Sequence, residues 1–211
     1  IPKSLLGCRT NSIGIERHNA KHLKILAKID RLSNYPQTSR FLGTFTMSLQ
    51  NQFIDFALET DVLRFGEFKT KAGRLSPYFF NLGLFNTGST LSRLGEFYAK
   101  ALLKAREEGR IEFDMIFGPA YKGIPLAAAV AIKLAEMGCD IPYAFNRKEA
   151  KDHGEGGMFV GQQLKDGEKV IIIEDVMTSG KALREILPKL QATANVEVVG
   201  MVISVDRREK A

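Results

Sequence analysis

Residues 170–182 read Val-Ile-Ile-Ile-Glu-Asp-Val-Met-Thr-Ser-Gly-Lys-Ala. The branched apolar run Val170 to Ile173 suits a strand buried on both faces of a parallel sheet. Two adjacent acids, Glu174 and Asp175, stand where that strand ends. Thr178, Ser179 and Gly180 then make a tight turn. Ala182, Leu183, Ile186, Leu187 and Leu190 begin an amphipathic helix over 180–192, in which Pro188 should introduce a kink or end the regular hydrogen bonding early. Strand, turn and helix N-terminus in this order bring free backbone N–H groups and the positive end of the helix to one point, which suits a phosphate. Paired carboxylates do nothing for the phosphate itself, but they accept hydrogen bonds from sugar hydroxyls or favour a hydrated metal ion. The stretch therefore reads as a site for a phosphorylated ribose, with phosphate in the turn and hydroxyls on the acids.

Working outward, apolar spacing predicts a helix over 48–60, a strand over 64–70, a turn at 71–74 and a strand from Tyr78. A helix follows over 90–108, closed by Gly109, then a short strand over 115–117 and an Ala-rich helix over 125–137. A strand over 142–145, a polar Gly-rich loop over 146–161 and a final strand over 196–205 complete the pattern. Alternating strands and helices with short turns imply an α/β fold with a right-handed parallel sheet. In such a sheet ligands bind at the carboxyl ends of the strands, where segments 118–123, 146–157, 174–182 and 205–207 fall.

A chain of 211 residues, 45% of them hydrophobic, has room for one large domain and a short appendage. No apolar run reaches the roughly 18 residues of a membrane span, so no membrane association is expected. Cys8 and Cys139 lie far apart without metal-ligand spacing, which points to a reducing, cytoplasmic setting. Eight of the 30 Lys/Arg and two of the 24 Asp/Glu fall within residues 1–46, which leaves 22 of each beyond and a neutral remainder. The net charge of +6 thus belongs to a basic leader, not to a nucleic-acid-binding face, and no nucleic-acid partner is expected. The leader carries a short amphipathic stretch at Leu23, Ile25, Leu26, Ile29 and Leu32, and its composition loosely resembles a transit peptide. We read residues 1–46 as outside the catalytic core and 47–211 as the working domain, because Met47 precedes the first well-patterned helix.

Three further segments carry charge or rings to the carboxyl edge. Gly118-Pro119-Ala120-Tyr121-Lys122-Gly123 lets a backbone approach a ligand closely and supplies Lys122 as a point charge. Arg147, Lys148, Lys151 and His153 place four potential cations within seven residues, followed by Gly154, Gly156 and Gly157. This reads as a mobile lid that closes over pyrophosphate, hinged on the glycines. Phe79 and Phe80, beside the Lys71-Ala72-Gly73-Arg74 turn, can stack a planar ring, although one of the two is expected to be core.

Taken together, the acid pair with Thr178-Ser179-Gly180 resembles the signature of the type I phosphoribosyltransferases. The Lys71-to-Asn81 segment, the Gly118-to-Pro125 segment, the lid and the terminal Asp206-Arg207 narrow the resemblance to the orotate phosphoribosyltransferases, from about residue 48 onward. The resemblance implies a parallel-sheet type I fold with a small N-terminal hood and a flexible lid loop. It implies the Mg²⁺-dependent conversion of orotate and 5-phosphoribosyl 1-pyrophosphate to orotidine 5′-phosphate and pyrophosphate, in pyrimidine (UMP) biosynthesis. By position, Lys71, Tyr121, Lys122, Arg147, Lys148, Lys151 and His153 hold the ribosyl donor and its diphosphate. Glu174 and Asp175 take the ribose hydroxyls, and the stretch Val176, Met177, Thr178, Ser179, Gly180, Lys181 and Ala182 takes the 5′-phosphate. Phe79, Phe80, Thr178 and Arg207 bind orotate, and Arg207 suits its carboxylate. Lys151, His153, Glu174 and Asp175 carry the catalytic burden. No direct protein ligand to Mg²⁺ is implied, the ion being held mainly by substrate and water. A homodimer is implied too, with each lid reaching the neighbour's site; a fully extended 148–157 segment spans at most about 33–36 Å. Two positions depart from the common pattern: Glu174, where many members have Asp, and Lys181, where a hydroxyl residue often ends the phosphate loop. The alternatives are transfer to a purine or to uracil, which lack the carboxylate that Arg207 suits, and a ligand-sensing regulator on the same fold, which would not need the lid.

Overall fold

The computed structural model describes residues 22–28, 47–69, 73, 75–151, 157–177 and 180–207. The described elements run β1 (His22–Lys28), α1 (Leu49–Glu59), β2 (Leu63–Lys69), β3 (Leu75–Phe80), a 3₁₀ turn (Leu82–Leu84), α2 (Gly88–Glu107), β4 (Met115–Gly118) and α3 (Gly123–Glu136). They continue β5 (Tyr143–Lys151), β6 (Gly157–Gly161), β7 (Lys169–Met177), α4 (Lys181–Thr193) and β8 (Glu197–Asp206).

Six strands form one sheet in the order β1-β8-β7-β4-β5-β6, parallel throughout except for the antiparallel edge pair β5–β6. β2 and β3 form a separate antiparallel ribbon. The sheet is apolar on both sides because successive side chains alternate between two layers. Ile116, Ile171, Ile173, Val202 and Val205 face the larger core, built with α1, α2 and α3. Met115, Phe117, Val170, Ile172, Met201 and Ile203 face the smaller core, closed by Ile186 and Leu190 of α4. This is why β4, β7 and β8 read as continuous apolar runs rather than alternating ones.

Three expectations are corrected in detail. Residues 22–28, inside the stretch read as a leader, form β1 and pair along β8 from His22↔Gly200 to Lys28↔Asp206. Secondly, 146–161 is not a loop throughout: β5 runs on to Lys151 and returns as β6, with Ala144↔Gly161, Phe145↔Val160 and Asn146↔Phe159 in register. Lastly, α4 continues through Pro188 to Thr193, so the proline does not end the helix. Pro188 is exposed, so the carbonyl whose intrahelical partner it removes is not left in a dry core.

Candidate active site

The acids stand at the carboxyl end of β7. Asp175 is buried, and its Oδ2 lies 2.6 Å from Lys122 Nζ, which comes from the neighbouring β4–α3 junction. The Asp175 backbone N–H donates to Glu174 Oε1 at 3.1 Å. Burial pushes the Glu174 carboxyl up to about 7, and the charge of Asp175 adds to the rise; hydrogen bonding from the Asp175 N–H and the charge of Lys122 oppose it.

Beyond the acids, α4 starts on Gly180 in the left-handed region (φ 71°, ψ 17°), and among the described residues no side chain caps its N-terminus. A pocket of about 310 Å³ opens there, lined by Glu174, Val176, Met177, Gly180, Lys181 and Ala182 among others. Lys181 Nζ is directed along the helix toward Glu185 Oε1, at 3.7 Å. Among the described residues the helix end therefore presents backbone donors.

A second pocket of about 250 Å³ lies on the other side of the acids, lined by Phe80, Asn81, Leu82, Lys122, Asp175, Val176 and Arg207. Arg207 NH2 donates to the Phe80 carbonyl at 3.0 Å, and its buried Nε has no protein partner. Phe80 gives this pocket its backbone, since its ring packs in the core. Phe79 is not among the lining residues; it lies on the ribbon face with Phe68, ring centroids 5.5 Å apart, under the Arg64 guanidinium at 5.0 Å.

At the β4–α3 junction, Gly118 and Gly123 approach so closely that a Cβ on Gly118 would lie 2.1 Å from the Gly123 carbonyl oxygen. Tyr121 is exposed, and Lys148 Nζ sits 4.9 Å from its ring centroid. Arg147 NH1 donates across the base of the lid to the Gly157 carbonyl at 3.1 Å. Because the lid's arms are paired strands, the chain goes out and back. The six residues from Asn146 to Lys151, five strand steps, reach only roughly 17 Å, half of what a single extended segment would span. Lys71, His153, Thr178 and Ser179 lie outside the described residues, as does the side chain of Lys151. Among the described residues no three His, Cys, Asp or Glu side chains converge as a metal site, and no helix is long and apolar enough to cross a membrane.

Asn146 was not singled out from sequence. It is buried, accepts the Ala120 N–H on Oδ1 at 2.9 Å and donates from Nδ2 to the Arg147 carbonyl at 3.1 Å, tying the Lys122 loop to the root of the lid. Its one sequence signal is a lone amide between the apolar Phe145 and the charge run.

A sheet whose carboxyl edge carries an acid pair between a helix-end cradle and an arginine-lined pocket defines a phosphoribosyl-handling α/β protein. Accordingly, a model of the phosphoribosyl transferase domain matches residues 87–211. The chain belongs to the orotate phosphoribosyltransferase family. It is 55% identical over 168 residues to the orotate phosphoribosyltransferase of Bifidobacterium adolescentis, covering 78% of this chain and 73% of that one. It is 58% identical over 162 residues to that of Thioalkalivibrio sulfidiphilus, covering 76% and 73%. The crystal structure of orotate phosphoribosyltransferase from Francisella tularensis superposes with a TM-score of 0.67 at 49% identity, covering 76% of this chain and 73% of that one.

Proposed function

We propose that this protein transfers the 5-phosphoribosyl group from 5-phosphoribosyl 1-pyrophosphate to orotate, giving orotidine 5′-phosphate and pyrophosphate. The observation that carries this reading is Arg207. Its guanidinium is anchored on the Phe80 carbonyl, keeps a buried Nε without a protein partner, and shares a pocket with Asp175 and Lys122. A carboxylate on a planar ring is the partner that such a fork suits. Breaking the C1′–O bond builds positive charge on the ribose and negative charge on departing pyrophosphate, while orotate N1 attacks C1′ directly. Glu174 and Asp175 accept the ribose hydroxyls and favour the positive ribose. Lys122, now on Asp175, turns to the diphosphate when the hydroxyls take its place. Residues 176–182 receive the 5′-phosphate on backbone N–H groups. Arg147, Lys148, Lys151 and His153 close over the leaving group with Tyr121, Lys71 holds the donor beside the base, and the lid excludes water. Two adjacent acids, one already ion-paired, fit a Mg²⁺ ion held mostly by substrate and water, which when bound neutralises charge on the pyrophosphate. The reaction belongs to cytoplasmic pyrimidine synthesis.

Loss of orotate absorbance should require both the ribosyl donor and Mg²⁺; turnover of hypoxanthine or uracil with none of orotate overturns the reading. The lid acts across a homodimer. Mixing Lys151→Ala with Asp175→Ala protein, each nearly inactive alone, should restore activity on subunit exchange; exchange without recovery would show that each lid serves its own subunit. The chemistry belongs to residues 47–211, because the described residues lining both pockets lie beyond Phe79. A chain starting at Met47 should keep orotate turnover, with a lower melting temperature from the loss of β1.

A further inference from the structure

Tyr98 lies in the middle of α2, fully buried, and its hydroxyl reaches into the sheet. It donates to the backbone carbonyl of Glu174 at 2.8 Å and meets Ser204 Oγ, on β8 and also fully buried, at 2.7 Å. A phenol has one proton, and the carbonyl can only accept, so Ser204 donates to the tyrosine oxygen. Burial, with the charges of Asp175 and Glu174 adding to it against the Ser204 hydrogen bond, holds the phenol far above its ordinary pKa and keeps it a donor.

The location of this hydrogen bond gives it meaning. β4 pairs with β7 only as far as Phe117↔Ile172 before turning into α3. From Ile173 onward β7 has strand neighbours on the β8 side alone. A buried carbonyl without a donor is costly, and the Tyr98 hydroxyl supplies from a helix what the sheet no longer does. The carbonyl of Glu174 and the N–H of Asp175 belong to one peptide unit. The oxygen is held by Tyr98, and the N–H is held by Glu174 Oε1. That plane is fixed at both ends, and the carboxylates on either side of it are the acids assigned to the ribose.

We propose that Tyr98, held by Ser204, is a positioning residue that locks the peptide plane between Glu174 and Asp175 and so aims both carboxylates at the ribose of the donor. The inference rests on the function proposed above. It is tested by Tyr98→Phe, which keeps the ring and removes only the hydroxyl. The expected result is about a tenfold loss of kcat/KM for the ribosyl donor, the worth of one buried hydrogen bond, and a matching loss of ribose 5-phosphate affinity by calorimetry. KM for orotate should stay within about twofold, because Arg207 lies on a different strand end. Ser204→Ala, which leaves the phenol on the carbonyl but unsteadied, should give a smaller loss of the same kind. A purely structural tyrosine would lower the melting temperature and leave kcat, both KM values and ribose 5-phosphate affinity unchanged wherever the variant is folded; that outcome overturns the inference. If Tyr98→Phe fails to fold, Ser204→Ala decides in the same way. If the parent protein turns over no orotate, the functional reading fails separately, and ribose 5-phosphate affinity alone decides this one.

Discussion

Two strand-to-helix junctions lie side by side at the carboxyl end of the sheet, and they use their backbones in opposite ways. At β4–α3 the main-chain donors are consumed internally: Ala120 N–H goes to Asn146, Gly123 N–H to Pro119 and Ile124 N–H to Tyr121. Gly118 and Gly123 are in contact, so the loop is closed on itself and offers a ligand side chains, Lys122 and Tyr121. At β7–α4 the helix begins on a left-handed glycine with no side-chain cap among the described residues, and a pocket opens in front of it. That junction offers backbone N–H groups. On the function proposed above, a leaving diphosphate, whose charge changes during reaction, would be met by side-chain cations, and a 5′-phosphate that stays in place by a backbone cradle.

The sharpest way to break this contrast is to add one methyl group to each junction. Gly118→Ala would drive a Cβ to 2.1 Å from the Gly123 oxygen and 2.7 Å from Ala127 Cβ. Backbone must move, and a loss of about 3 kcal/mol or more is expected, seen as insoluble protein or a collapsed melting temperature. Among the described residues, Gly180→Ala meets nothing nearer than Arg184 NH1 at 3.5 Å and bears the left-handed backbone strain, about 1–2 kcal/mol. If the two substitutions cost the same, the β4–α3 loop is not the tightly closed unit described.

Glu174 tests the ground between the junctions. Its carboxyl is raised from 4.5 to about 7, so the folded state holds its proton more tightly than the unfolded chain. Its contribution to stability is therefore most favourable below pH 4.5, declines as pH rises, and levels off above about 7. Glu174→Gln removes that penalty. The stability gain over the parent should grow between those limits and then stay flat, at on the order of 1–3 kcal/mol. Activity should move the other way: kcat/KM for the donor should rise through pH 7 in the parent, and the Gln variant should lose both that limb and on the order of tenfold or more in rate. A gain in stability that ignores pH would place the burden elsewhere than on the buried charge.

The sequence made the β7–α4 junction legible and the arms of the lid much less so. Val170 to Ile173 can hardly be anything but a buried strand, and the acids and glycine after it mark its end. The outer β5 arm of the lid carries Arg147, Lys148, Glu149 and Lys151, which show no apolar alternation, because a strand end exposed at Lys148 and Glu149 has no dry face to pattern. Strand pairing was therefore invisible, and with it the shorter reach of the lid. Tyr98 read as one more residue at helical spacing; partners 76 and 106 positions away leave no local trace. The stretch at Leu23, Ile25 and Ala27 alternates as a strand should, but its basic surroundings drew the reading toward a leader. Asn146 shows the same limit on a smaller scale. Asn146→Ala would leave the half-buried Ala120 N–H and the Arg147 carbonyl without their partners, at about 1–3 kcal/mol in stability. It should also raise KM for the donor more than KM for orotate, because the loop it holds carries Lys122.

The smallest expected effect is the most pointed test of the contrast. Lys181 stands at the start of α4, in the lining of the pocket that opens there. Its ammonium is exposed and directed to Glu185 one turn along, a surface i,i+4 pair, worth about 0.3–0.5 kcal/mol. If the cradle works through its backbone, the side chain is dispensable. Lys181→Ala should then shift stability by under about half a kcal/mol and donor KM by less than about threefold, since a single exposed charge near a helix end contributes only ~0.3–1 kcal/mol to anion binding. Steady-state kinetics at low and high salt would check it, because a side-chain contribution would be screened and a backbone one much less so. A tenfold rise in donor KM that salt abolishes in the parent would mean that the β7–α4 junction, too, binds through a cation, and the division of labour between the two helix starts would fail.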